Sequence, residues 1–394
     1  MKRPVPALLA RIAARGQRTD LLFSWFALPG AAVLALLVGA VLMLAFGANP
    51  ATGYHALLTG ALGGTYALTS TAVKAVPLLL VGAGICIAFR ANMLNIGGEG
   101  QIAMGGLAAT ATALAVPSLP AVVLVPLVLL AGAAGGAVWG AIPGAFKAYF
   151  NVNEILSTIM LNLVAVQLMN YLLAGPLVAK SGYAVGGLIP QTRLLSKNSW
   201  LPTLIAGTQL HLGVLIAVLL AVAVYLLLWR TGLGFRIRAV GLSREASRYA
   251  GMSVKRTMTL AMTLAGALSG VAGAMLVFGS ISHRMVTDGT LTGFTGNAGF
   301  NGIVVALFAG LHPLWTVVTS FLFAGLLVGG TSMQVVTGVP SDLVTAINGV
   351  VVVLVVSVAY LRRRASARAH TSEQARTGTS REPPGSDVVT EVRA

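Results

Sequence analysis

The sequence predicts an all-α, polytopic membrane protein of about ten transmembrane or partly re-entrant helices. Three observations carry that reading. Hydrophobic residues make up 56% of the 394 and charged residues only 9%, against about 25% charged in a soluble domain, and mean hydropathy is +0.86. Several apolar runs reach or approach the ~20 residues a helix needs to cross a bilayer. The 47 glycines, with abundant alanine, suit helices that meet closely in lipid, where small side chains let backbones approach.

The elements follow in order. Residues 1–24 are basic and lack a small-residue cleavage site before the first apolar run, so they read as a cytoplasmic leader to an uncleaved span. Residues 25–361 form the membrane domain, with spans expected at 25–46, 72–89, 101–116, 119–143, 154–175, 211–229, 258–279, 299–311, 314–330 and 343–361. The third and eighth are too short to cross comfortably and read as half-helices or re-entrant segments. Residues 362–394 are polar, with Ser, Thr, Glu, Pro and Gly, and are expected to be a disordered cytoplasmic tail. The lone Cys86 lies in an apolar run and reads as a small core residue. No soluble catalytic domain fits in what remains.

The net charge of +16 would suit nucleic acid, but the basic residues sit mainly between spans and at the termini, which points to membrane orientation. With a cytoplasmic N-terminus, alternation leaves Lys74, Lys180, Arg193, Lys197 and Arg284 outside and 21 of the 26 Lys and Arg inside. The positive-inside rule therefore places both termini in the cytoplasm. The second and seventh spans are each followed by a Gly-rich polar stretch, at 90–101 and 289–302, which suggests an inverted repeat of five plus five helices.

Asn92 to Gln101 (NMLNIGGEGQ) sets a carboxylate, two Asn, a Gln and three Gly between apolar runs. Lipid offers such groups no partners, so they must lie in protein or line a wet cavity. A membrane protein that keeps them is expected to handle a polar solute. Asn95, Glu99 and Gln101 are candidate pathway residues, with Asn297 and Asn301 in the second Gly-rich stretch. Glu99, near the cytoplasmic edge, has three readings: a pair with Arg90, a ligand for solute hydroxyls, or a brace for the glycine turn.

Asn153 to Asn162 (NEILSTIMLN) opens the fifth span. Glu154 reads either as a partner of the helix dipole or as a functional carboxylate. Asn162, on the same stripe, either joins the pathway or bonds a neighbouring helix. The longest inner loop, 230–257, carries Ser243 as an N-cap before one short helix, with Gly251 as its stop. That helix either docks a cytoplasmic partner or merely fixes topology. His55, His211, His283, His312 and His370 are scattered without metal-ligand spacing, which argues against a metal site or a membrane enzyme.

These residues carry a resemblance. NMLNIGGEGQ (92–101), NEILSTIMLN (153–162), GLGFRIRAVG (232–241) with EASRYAG (245–251), and GFNGIVVAL (299–307) are together similar to the permease of ABC nucleoside or simple-sugar importers, within the branched-chain amino acid and ribose permease superfamily. The similarity covers about residues 30–360 in the same order and resembles the longer of the two nucleoside-type permeases. One departure is LFAGLHP (307–313), where the family more often carries a polar residue after Gly310.

The resemblance implies a bacterial plasma-membrane subunit that works with three others: a second homologous permease, a cytoplasmic ATPase holding ATP and Mg²⁺, and an extracytoplasmic solute-binding lipoprotein. The loop around Glu245 becomes the coupling helix, with Arg238, Gly241, Arg244, Glu245, Ala246 and Gly251 facing the ATPase. The chain contains no GxxxxGK[ST] phosphate loop, so energy is expected from that partner and no cofactor from this chain. Few charges lie inside the spans, which favours a neutral solute such as a nucleoside, with ribose as the alternative. An ion-coupled carrier is the rival class, disfavoured by the lack of deep acidic groups.

Overall fold

The computed structural model describes residues 33–340, apart from 35 and 180–189, and beyond them only 346, 349 and 350. The leader 1–24, the start of the first span, Lys180, most of the tenth span and the tail 362–394 lie outside the described residues. The chain divides into two units, residues 48–344 and a smaller unit from its two ends. The described helix of the smaller unit is α1 (Leu36–Ala45).

The larger unit runs α2 (Pro50–Leu62), α3 (Thr65–Arg90), α4 (Gly98–Ala115), α5 (Ala121–Phe150), α6 (Glu154–Ala174), α7 (Gly213–Arg230), α8 (Gly232–Leu242), α9 (Arg244–Tyr249), α10 (Val254–Phe278), α11 (Leu291–Thr295), α12 (Ala298–Phe308) and α13 (Pro313–Thr337). Among the described residues, β structure is confined to isolated bridges such as Val178 with Thr192.

Six helices (α3, α5, α6, α7, α10 and α13) are long and apolar enough to cross a membrane, and α1 with α2 would make a seventh span. The all-helical expectation holds, while the full-length spans among the described residues number six or seven. The two short spans have physical causes. α4 is 18 residues long but diluted by Glu99, Gln101 and its glycines, and α12 has only 11 residues.

Three boundaries differ from expectation. α3 begins at Thr65 rather than near 72, so Lys74, counted with the outer charges, sits well inside the helix and not at its edge. α2 is an added element. Its start was marked in the sequence by Asn49, which accepts from Ala51 N at 2.9 Å, and by Pro50, but its 13 residues fall short of a span. The inner loop holds two helices instead of one, because Thr231 Oγ1 accepts from Gly234 N at 3.1 Å and starts α8 as well.

α3 and α10 are the most enclosed spans. From Ala75 to Ala88 α3 is buried around its whole circumference, as a central helix must be. α5 packs antiparallel against α10 through glycines spaced by four. Gly132 faces Ala274, Gly136 faces Gly266 and Gly270, Gly140 faces Met262 and Gly266, and Gly144 faces Met262 and Thr259. A Cβ on Gly136 would stand 2.6 Å from Gly270 Cα, so no larger residue fits without parting the helices.

Lipid supplies no hydrophobic force between helices, so this seam depends on van der Waals contact of bare backbone. Gly136→Leu or Gly270→Leu is therefore expected to abolish recovery of monodisperse protein by size-exclusion chromatography in detergent. Gly232→Ala, where a Cβ meets nothing within 4 Å, should leave it unchanged.

Candidate functional site

α3 ends at Arg90, and Asn92 in the left-handed region (φ 54) reverses the chain. The following turn is closed by amides. Asn95 and Gln101 exchange two hydrogen bonds of 3.1 Å each, and Asn95 Oδ1 also accepts from Gly97 N at 3.0 Å. Asn162 reaches in from α6: its Oδ1 accepts from Gly100 N at 2.9 Å and its Nδ2 donates to Ile96 O at 3.0 Å. All three side chains are buried. They stitch α6 to the turn and spend their hydrogen bonds on protein.

Glu99 is fully buried. One carboxylate oxygen accepts from Phe300 N at 3.1 Å, and the other accepts from Thr295 Oγ1. Phe300 lies in the first turn of α12, whose own N-cap, Asn297, makes no side-chain cap. Glu99 therefore caps α12 from across the molecule. The same residue stands in the first turn of α4. A Cβ on Gly98 would be 3.1 Å from Gly299 Cα, so the two helix N-termini abut. One carboxyl group thus meets the N-terminal turns of two helices.

Arg90 does not pair with Glu99. It donates to Leu311 O at 3.4 Å and lies over the Trp229 ring at 5.3 Å. The brace reading of Glu99 is the one the geometry fits, and it extends to a second helix. Glu99 is also deeper than expected: a Cβ on its neighbour Gly98 would be 3.3 Å from Val81, well inside α3. Thr295, its hydroxyl partner, carried no sequence signal beyond lying in a Gly-rich stretch.

Asn297 and Asn301 stand apart from the amide cluster. Asn297 is exposed and Asn301 half-buried at the start of α12, beside exposed Thr292, Gly296 and Phe300. Glu154 pairs with Lys147 at 2.9 Å, and Asn153 caps the same helix end by accepting from Ile155 N at 2.9 Å. Its role here is to anchor α6. Among the described residues no group of three His, Cys, Asp or Glu could hold a metal.

The inner loop is tied to the end of α3. Arg238 lies 6.0 Å from the centre of Trp229, the ring that Arg90 also covers. A Cβ on Gly241 would run into the Arg90 carbonyl. Arg244 donates to Asn92 O at 3.4 Å. Ser243 caps α9 by accepting from Ala246 N at 3.2 Å, and Gly251 (φ 77) ends the turn after it. Glu245 and Ala246 are exposed, and Leu242 and Tyr249 are 89% and 94% exposed beside a groove lined by Phe235, Ala246 and Met252.

At the other end of α3 lies a cavity of about 420 Å³ that includes Ser70, Lys74, Gln209 and His211. His211, in the loop before α7, is 3% exposed. Burial, followed by the nearby His283, holds its imidazole down at about 4.

A family model described as "Branched-chain amino acid transport system / permease component" matches residues 67–356. The chain belongs to that family. This permease is 36% identical over 327 residues to the guanosine ABC transporter permease protein NupP of Bacillus subtilis, covering 83% of this chain and 91% of the relative. It is 33% identical to the nucleoside ABC transporter permease protein NupB of Lactococcus lactis, covering 82% and 88%. It is 35% identical to the glucose ABC transporter permease protein TsgB13 of Haloferax volcanii, covering 84% and 86%. No solved structure matches it.

Two measurements test the permease's site. Glu99→Ala strands the Phe300 amide and the Thr295 hydroxyl, and is expected to cost about 1–3 kcal/mol, read as a lower thermal midpoint in detergent; Glu99→Gln should cost less. For His211, the unfolded chain takes up a proton near 6.5 while the folded chain resists it to about 4. Stability should therefore be full above pH 6.5 and fall by about 3 kcal/mol as pH drops to 4. His211→Gln should flatten that part of the pH profile.

Proposed function

We propose that the permease is a membrane subunit of an ATP-driven importer in the bacterial plasma membrane, and that its solute is a nucleoside. The observation that carries the reading is a continuous mechanical path. The exposed corner where α8 meets α9 offers a partner Leu242, Glu245 and Tyr249. Arg244 ties that helix to the Asn92 carbonyl. The turn from Asn92 leads to α4, and Glu99 locks α4 to α12. A push on α9 is thereby passed to the two opposed helix ends inside the bundle.

The partner on α9 is a cytoplasmic ATPase carrying ATP and Mg²⁺. Arg238, Gly241 and Arg244 act as the hinge that fixes α8–α9 to α3, and Glu245, Ala246 and the Gly251 turn form the docking face. The solute path runs along the open side of α11 and α12, past Asn297 and Asn301, where polar groups are exposed on an otherwise apolar molecule. A second homologous permease closes that side, since lipid could not solvate it. Asn95, Glu99, Gln101 and Asn162 support this path from behind by holding the two helix ends. An extracytoplasmic solute-binding lipoprotein delivers the solute, and both termini lie in the cytoplasm.

The nucleoside assignment draws on the relatives named for guanosine and nucleosides, and on an exposed α11–α12 face that carries the hydroxyl and amide groups of Thr292, Asn297 and Asn301. The relative named for glucose keeps a simple sugar as the second reading. A five-plus-five inverted repeat is supported by exchanged packing: α5 packs on α4 and α10, while α13 packs on α12 and α3. An ion-coupled carrier would need a carboxylate free to take up its ion, and Glu99 is occupied by two donors.

Uptake of labelled guanosine, uridine and ribose in cells with and without the gene decides the solute. Loss of ATP-dependent guanosine uptake alone is the expected result, and loss of ribose uptake alone would move the reading to a sugar. Arg244→Ala should lower uptake by roughly 5- to 150-fold, the range of a typical coupling energy, while ATP hydrolysis by the assembled transporter continues. Unchanged uptake would remove Arg244 from the path.

A further inference from the structure

Ser70 and Lys74 stand one turn apart on α3 and line the same cavity of about 420 Å³. Its other walls come from Gln209 and His211 before α7, from Met275 in α10, and from Ser280 and Ser282 beyond it. The volume falls within the ~300–1,000 Å³ of small-molecule sites. Several polar groups in its wall have unused hydrogen-bonding capacity. Ser70 Oγ is buried without a partner among the described residues. His211 accepts from Gly213 N at 3.1 Å through Nδ1, which assigns the proton to Nε2 as a free donor. Gln209 donates to Tyr66 OH at 2.8 Å and keeps its oxygen as an acceptor.

Among the described residues, Lys74 supplies the only charge in the wall. Its side chain is exposed to the cavity, and the one salt bridge among the described residues is elsewhere, between Lys147 and Glu154. An ammonium on a spanning helix is costly, and such groups are kept where they serve a solute path. A Cβ on Gly296 would lie 3.1 Å from Lys74 Nζ, so the cation also borders the link between α11 and α12. The cavity therefore adjoins the polar face at Asn297.

We propose that this cavity is a solute-binding site within the permease, and that Lys74 is its specificity residue. The wall is rich in donors and has no carboxylate, so it selects a ligand dense in acceptors. A nucleobase keto oxygen or ring nitrogen takes the Lys74 ammonium, while ribose hydroxyls take Ser70 and give to Gln209. The choice of a nucleoside rests on the reading in the preceding section; the site itself rests on the cavity.

The single native cysteine, Cys86, is buried, so an introduced thiol can report on the site. The full transporter carrying Ser282→Cys, in lipid nanodiscs that expose both faces, is treated with a charged thiosulfonate. Labelling should slow about tenfold at guanosine concentrations near ten times Kd, because occupancy shields the thiol in proportion to bound ligand. Adding Lys74→Met should remove the protection, and Lys74→Arg should keep part of it. Leu204→Cys, exposed outside the cavity wall, should label equally with and without solute.

Protection by ribose and not guanosine would keep the site and overturn the nucleoside reading. No protection by either, in a transporter that imports one of them, would overturn the site. Protection that survives Lys74→Met would overturn the role of Lys74. Ser70→Cys, read in the same way, guards against a failure of the first reporter to assemble.

Discussion

A single buried carboxylate holds two helix ends together, and the functional part of the molecule depends on it. The N-termini of α4 and α12 each leave backbone N–H groups without intrahelical partners. Left unpaired in the interior, those groups would cost far more than at a wet surface. Glu99 satisfies the Phe300 amide and the Thr295 hydroxyl. Glycines at 98 and 299 are what allow the ends to come so near. A side chain at either would push the helices apart and break the cap.

Around this junction the packing is backbone on backbone. The α5–α10 seam brings bare glycines within contact of one another, and Gly105 of α4 meets Gly270 in the same seam. Tight contact of this kind transmits displacement, because there are no long side chains to absorb it. The inner end is arranged likewise: Gly241 lies against the Arg90 carbonyl, and Arg90 and Arg238 share the face of Trp229. α8–α9 is therefore tied closely to the end of α3 and to the turn at Asn92.

The opposite end of α3 is different in kind. It holds a cavity with a cation, an unpartnered hydroxyl and a neutral histidine, while the polar amides expected in the path are consumed in building the turn. Asn95, Gln101 and Asn162 are polar in the sequence for the same reason a solute site would be: lipid cannot satisfy them. Residue type alone could not separate a self-satisfied network from a ligand site. Lys74 was hidden for the opposite reason, since it was counted with the outer charges at the edge of a span drawn from near 72.

The sequence by itself determined the class of the protein and most of its helices. Hydropathy and charge are local, and so are the cap at Ser243 and the stop at Gly251, each of which stands where the sequence placed it. The short third and eighth spans were also legible, because polarity and glycine content shorten an apolar run wherever they occur. Tertiary structure alone decided what Glu99 does, because Phe300 lies 201 residues away. It likewise decided that Arg244 grips Asn92 and that Lys74 faces a cavity. Those outcomes depend on which helices become neighbours, and close packing of glycine seams sets that, not the periodicity of any one segment.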